Sequence, residues 1–220
     1  MKLFQKIAGW LFPEKCILCG KILEKEERDL CRSCRIDAPE CPILRDRYPF
    51  ISQWTALWYY EGNVRRSLLN YKFYGKRHYA AAYGRMLAMK LLREERADFD
   101  ILTWVPVSDR RRRKRGYDQV ELIARYLGQE LGIEPVAQLK KIRNNPPQSG
   151  ITGQAERRAN VLGAYGLLHP DSLAGKRVLL LDDIITTGAT AGECARMLLT
   201  GGAKEVQLAV VAAARQHKKQ

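Results

Sequence analysis

The stretch that most constrains this chain is residues 178–190, which read Val-Leu-Leu-Leu-Asp-Asp-Ile-Ile-Thr-Thr-Gly-Ala-Thr. Four consecutive apolar residues need cover on both faces, which a parallel strand sandwiched between helices provides. The spacing predicts a strand over 177–181 that ends at Asp182 and Asp183, a hydroxyl- and glycine-bearing turn, and a helix over 191–199. In an open parallel sheet, ligands bind beyond the carboxyl ends of the strands. The free N–H groups of such a turn and the helix dipole suit a phosphate monoester. Thr186, Thr187 and Thr190 add hydroxyl donors, and Gly188 permits close backbone approach. Adjacent strand residues face opposite ways, so at least one of Asp182 and Asp183 is placed to accept hydrogen bonds from a ribose diol.

Upstream, the pattern alternates. Residues 54–60 are rich in aromatics and read as a strand, and residues 63–71 and 80–93 have helical spacing on either side of Gly75. Residues 100–107 are a short apolar run suited to a buried strand, and 118–131 form an amphipathic helix with Val120, Ile123, Ala124, Leu127 and Leu131 on one face. Weaker strand character lies at 135–139, and another apolar strand at 205–212. Strands alternating with helices predict an α/β fold, a mostly parallel sheet with helices on both faces. The length, 220 residues, suits one such domain, expected over 49–220, plus a small module over 1–48.

Before the sheet lie two cysteine knuckles, Cys16-x₂-Cys19 followed by Gly20, and Cys31-x₂-Cys34. Each pair offers two thiolates to one tetrahedral Zn²⁺, and a short segment that cannot bury its own core needs a metal to fold. Four thiolates leave no open position, so one structural zinc is expected. Cys41 has no partner at position 44, which is Leu, and Cys194 falls on a helix face expected in the core. Ahead of the knuckles, Leu3, Phe4, Ile7, Trp10 and Leu11 share the face of a short helix that is expected to pack on the protein without inserting in a membrane. No run approaches the ~20 apolar residues of a membrane span, and residues 1–12 lack a secretory pattern. A cytoplasmic location is expected.

The net charge is +14, and residues 51–220 carry 28 basic against 16 acidic side chains while residues 1–50 hold 10 and 8. Such a field favours polyanions, although surplus Lys and Arg also serve solubility alone. The cations concentrate in the run Arg110-Arg111-Arg112-Arg113-Lys114-Arg115, read as a charged loop. Six like charges repel one another unless something anionic is near, and Arg suits bidentate phosphate contacts. Lys72 is a further anion-binding candidate. The polar segment 144–153, with two prolines and two glycines, reads as a lid. Near it, Gln148, Arg157 and Asn160 fit either phosphate or base recognition or a simple loop or capping role.

The 178–190 stretch resembles the signature of type I phosphoribosyltransferases: four apolar residues, two acids, two variable residues, then Thr-Thr-Gly-x-Thr. That resemblance implies phosphoribosyl pyrophosphate held with Mg²⁺, with Asp182 and Asp183 on the ribose and Thr186, Thr187, Gly188, Ala189 and Thr190 around the 5′-phosphate. It further implies Val107 and Ser108 by the pyrophosphate and Arg115 and Gln119 near the substrate, with Asp182, Asp183 and Arg115 as catalytic candidates.

Taken in order, the knuckles, Lys72-Phe-Tyr-Gly75, Val105-Pro106, Arg115-Gly-Tyr-Asp-Gln119, Arg157-Arg-Ala-Asn-Val161 and the phosphate loop resemble the ComF family of late competence proteins. Members often have Phe-Asn-Gln where this chain has Tyr117-Asp118-Gln119, and many have another knuckle where it has only Cys41. The resemblance implies a DNA-uptake factor of natural transformation that handles single-stranded DNA and works with uptake proteins at the inner face of the membrane. Trp54, Trp58, Tyr59, Tyr60 and Tyr117 are candidate stacking platforms, although strand alternation buries about half of those in a strand. The alternative is a free-standing phosphoribosyltransferase of nucleotide or amine metabolism. Against it, little chain follows Ala212 to form a hood over a base, and no N-terminal cysteine nucleophile is present. A ligand-sensing regulator without catalysis is compatible with the first reading.

Overall fold

The computed structural model describes residues 13–43, 48–143 and 154–215. The expected N-terminal helix and the expected lid with Gln148 lie outside the described residues. Within them, a four-stranded parallel sheet is formed by β1 (Gln53–Tyr59), β2 (Ile101–Trp104), β5 (Arg177–Ile185) and β6 (Glu205–Ala213), in the order β1-β6-β5-β2. β3 (Leu139–Lys141) and β4 (Tyr165–Leu167) form a separate antiparallel pair.

The alternation of β5 sets the layers. Leu179 and Leu181 face one side with Leu68, Tyr83, Leu87, Ile123 and Leu127. These come from α2 (Gly62–Phe73), α3 (Tyr79–Arg93) and α5 (Gln119–Leu131). Val178 and Leu180 face the other side with Cys194 and Leu198 of α7 (Ala189–Thr200), which confirms Cys194 as core. The helices on both faces account for the unbroken apolar run, as expected. Gly84 brings α3 against α5, because a Cβ there would lie 2.6 Å from Tyr126 Cβ.

Several elements differ from the sequence expectation. The weak strand expected at 135–139 is displaced to β3, since Val136 gives only one backbone bond to Leu102 (2.8 Å) and Gln138 N–H turns to the Thr103 hydroxyl (3.2 Å). The arginine run is not a loop but a helix, α4 (Asp109–Arg115), closed by Gly116 at φ +78°. Its like charges are offset by Asp109 in the first turn and by solvent exposure of Arg110, Arg112 and Arg113. Finally, β5 does not end at the acids. It runs on to Ile185 because β6 accompanies it, with Asp182 paired to Val210 and Ile184 to Ala212.

The cysteine module, which includes α1 (Arg32–Asp37), is docked on the large domain and shares its core. The Ser67 hydroxyl donates to the Ile17 carbonyl at 2.5 Å, and Arg85 forms a two-point ion pair with Asp29. Residues 39–41 then run antiparallel to β1, through Tyr59 N–H to Pro39 (2.8 Å) and Cys41 N–H to Leu57 (3.0 Å). Tyr48, the last residue of the expected small module, is buried against Trp54 with ring centroids 5.3 Å apart.

Candidate phosphate cleft and cysteine cluster

The cleft arises where β2 leaves the sheet. β2 pairs with β5 only as far as Trp104 opposite Leu181, and Val105 N–H makes the last bond, to Leu181 O at 2.9 Å. Asp182 and Asp183 stand just past that point, where β2 no longer pairs with β5. Their side chains diverge as strand geometry requires. Asp183 meets Lys72 Nζ of α2 at 2.8 Å, whereas Asp182 lies close enough to Lys141 of β3 and to Cys194 for their charges to act on one another. Burial, followed by the Asp183 carboxylate, pushes Asp182 up to about 8, against the pull of the Asp183 N–H on its Oδ1 (2.8 Å).

Beyond Ile185 the chain turns through Thr186 and Thr187 to Gly188, the N-cap of α7, at φ +74°. An added Cβ on Gly188 would overlap Tyr48 Cδ1 and lie 2.8 Å from its Cε1. The turn therefore needs glycine for its conformation and for space. Thr187 Oγ1 is buried without a hydrogen-bond partner among the described residues. A buried hydroxyl left unsatisfied costs about 1–3 kcal/mol, and a phosphate oxygen at the helix N-terminus would satisfy it. The turn fits the phosphate expected from its sequence.

Three of the candidates on the pyrophosphate side, Lys72, Gln119 and Arg115, are joined by hydrogen bonds. Buried Gln119 donates from Nε2 to the Lys72 carbonyl (3.0 Å) and accepts from the Arg115 guanidinium on Oε1. Arg115 also lies over the Phe73 ring at 5.2 Å, and burial lowers its pKa. Gln119 thus holds Lys72 and Arg115 in place, a positioning role that sequence reasoning did not assign. Val107 and Ser108 flank the start of α4, but the Val107 N–H is already given to Asp118 Oδ2 at 3.0 Å. Asp118 Oδ1 accepts from Val120 and Glu121 N–H at 2.9 and 3.2 Å. Asp118 is therefore a helix cap and strut.

Lys141 is the cleft residue that sequence reasoning missed. It stands over the Tyr165 ring at 5.2 Å, and burial, then Arg111, lowers its pKa. In the sequence it is one of two adjacent lysines just past the weak strand expected at 135–139. Arg157 and Asn160 belong to α6 (Gln154–Val161); Asn160 is half-buried, and the Arg157 side chain lies outside the described set. Trp54 and Trp58 are buried and cannot serve as stacking platforms.

In the cysteine module, Cys16, Cys19, Cys31 and Cys34 place their sulfurs within 4.8 Å of one another. Burial alone would raise Cys16, but N–H donors from Cys19, Cys31 and Leu18 bring it down to about 7. Four converging thiols with N–H donors to sulfur fit a tetrahedral thiophilic metal. Cys41 is not among them. It is buried in the other core cluster, and burial pushes its thiol up to about 11.

Known proteins place the chain in a family. The family model described as "Phosphoribosyl transferase domain" matches residues 88–220. The chain belongs to that family. It is 27% identical to "DNA utilization protein YhgH" of Salmonella typhi over 202 residues, 88% of this chain and 87% of the relative. "Competence protein ComFC" of Streptococcus pneumoniae is 26% identical over 227 residues, 88% of this chain and 97% of the relative. "Competence protein F" of Haemophilus influenzae is 32% identical over 106 residues, 47% and 46% of the two chains. These relatives support the ComF family named on sequence. Among solved structures, "Structure of the allosteric regulatory enzyme of purine biosynthesis" aligns with a TM-score of 0.44 at 23% identity, over 64% of this chain and 29% of that one. Among the described residues no helix is long and apolar enough to cross a membrane.

Proposed function

We propose that this chain is a cytoplasmic DNA-uptake factor that binds phosphoribosyl pyrophosphate with Mg²⁺ in the cleft beyond β5 and single-stranded DNA on its basic surface. The observation that carries the ligand half is the turn itself: a partnerless buried Thr187 hydroxyl beside a helix N-terminus, next to two diverging carboxylates. Backbone N–H groups of Gly188, Ala189 and Thr190, with the threonine hydroxyls, hold the 5′-phosphate. Asp182 and Asp183 accept from the ribose hydroxyls. Lys72 and Arg115 face the pyrophosphate, and magnesium supplies charge neutralisation there when bound.

Support for the DNA half comes from the competence and DNA-utilization names of the relatives and from the exposed cations of α4. Uptake proteins at the inner face of the membrane are the expected partners. The four cysteines are assigned one structural zinc. The test is binding of labelled single-stranded oligonucleotide and of magnesium phosphoribosyl pyrophosphate to the zinc-loaded protein across a salt series. Steeply salt-dependent DNA binding and saturable ligand binding are expected.

Transferase chemistry is the second reading, favoured by Arg115 and Lys72 standing together where a leaving pyrophosphate would need cations. Release of pyrophosphate in a screen of bases and amines tests it.

A further inference from the structure

Two aromatic side chains that belong in neither core stand at the mouth of the cleft. Phe73 and Tyr74 are 63% and 72% exposed, whereas Trp54, Trp58, Tyr59, Tyr60 and Tyr117 are buried or half-buried. They follow directly on Lys72, whose ammonium is 2.8 Å from Asp183. Phe73 ends α2, and Tyr74 caps it with its N–H on Asn70 O at 3.0 Å, so the backbone under both rings is fixed. Two adjacent rings left in water on a fixed backbone form a flat apolar surface open to a ligand.

The cations around them indicate which ligand. Arg115 of α4 stacks over Phe73, and Arg77 donates to the Arg115 carbonyl at 3.3 Å while lying over Tyr117 at 4.4 Å. Lys76, Arg77, Arg110 and Arg113 are exposed, and none forms an ion pair with a carboxylate among the described residues. The acids at this face are Asp109, in the first turn of α4, and Glu121, which Arg125 and Arg112 already engage at 2.8 and 3.9 Å. Exposed rings flanked by unpaired cations match the two needs of an unpaired strand, a flat surface for bases and positive charge along its phosphates.

Resting on the single-strand reading above, we infer that Phe73 and Tyr74 stack successive bases of single-stranded DNA while Lys76, Arg77 and α4 carry its phosphates. The strand then passes over the opening of the phosphoribosyl site. This moves the stacking surface away from Trp54 and Trp58, which the core has claimed.

The test is fluorescence anisotropy of a labelled oligodeoxythymidylate with the full, zinc-loaded chain. Phe73→Ala and Tyr74→Ala are each expected to weaken binding about fivefold or more, and Phe73→Trp to retain it. Leu92→Ala, which removes an equally exposed apolar side chain from α3, is expected to leave it unchanged. Duplex DNA, whose bases are already stacked, should be indifferent to both ring deletions. Wild-type affinity in a Phe73→Ala/Tyr74→Ala double variant that still binds single strands would overturn the surface alone. Absence of single-strand binding by the unsubstituted protein would overturn the single-strand reading and the surface with it.

Discussion

The Tyr48 ring fills the space that the missing side chain of Gly188 leaves open, so that a Cβ there would overlap its Cδ1. A residue from the segment joining the cysteine module to the sheet thus supports the turn that is assigned the phosphate. The turn's shape depends on the ring, and the ring's place depends on the turn.

That dependence is measurable. Gly188→Ala puts a side chain at φ +74°, a left-handed strain of about 1–2 kcal/mol, and also drives the Cβ into Tyr48. Loss of phosphoribosyl pyrophosphate binding is expected in calorimetric titration. In a Tyr48→Ala/Gly188→Ala double variant the steric part is removed, so the two stability losses should sum to more than the measured double loss. Strict additivity in urea unfolding would show that the contact carries no energy.

Asp118 holds the Val107 N–H and the first turn of α5 with one carboxylate. Asp118→Ala is expected to cost about 1–2 kcal/mol for the cap alone, read as a lower urea midpoint. Asp118→Asn keeps an acceptor for the cap and should lose less.

Asp182 is raised by burial and by Asp183 to about 8. A carboxyl whose folded pKa exceeds its unfolded value of about 3.9 binds its proton more tightly when folded. Its ionisation therefore destabilises the fold progressively from about pH 4 to pH 8, and the effect is complete above that. Asp182→Asn should raise the Tm more at pH 8.5 than at pH 5. Metal-assisted ligand binding that needs the ionised carboxylate should strengthen over the same rise in pH, as calorimetry at several pH values would show.

Because the cysteine module shares a core with α2 and α3, metal removal is expected to lower the Tm of the whole chain in one transition. A separate small transition is not expected. Metal analysis should find one zinc per chain, retained in Cys41→Ser and lost in Cys31→Ser.

Sequence patterning made β5, α7 and β6 legible because four apolar residues, a hydroxyl-rich turn and a helical period leave few alternatives. The cysteine cluster was legible from spacing alone, since two knuckles have one tetrahedral solution. Other features were hidden for physical reasons. The α4 run looks like a loop because like charges disfavour a helix, and only a tertiary setting with Gly116 as a left-handed cap reveals it. β3 and β4 have three residues each, too few to show a period. Tyr48 and Lys141, and Gln119 in its bond to the Lys72 carbonyl, act through partners distant in the chain, which no local pattern records. Exposure separated Phe73 and Tyr74 from Trp54 and Trp58, and composition treats them alike.

The most direct test of the central claim is equilibrium binding of phosphoribosyl pyrophosphate with Mg²⁺ to the folded, zinc-loaded protein, competed with ribose 5-phosphate. The cleft beyond β5 predicts saturable binding of one ligand per chain, displaced by ribose 5-phosphate and lost in Gly188→Ala. A folded protein that binds neither compound would contradict it.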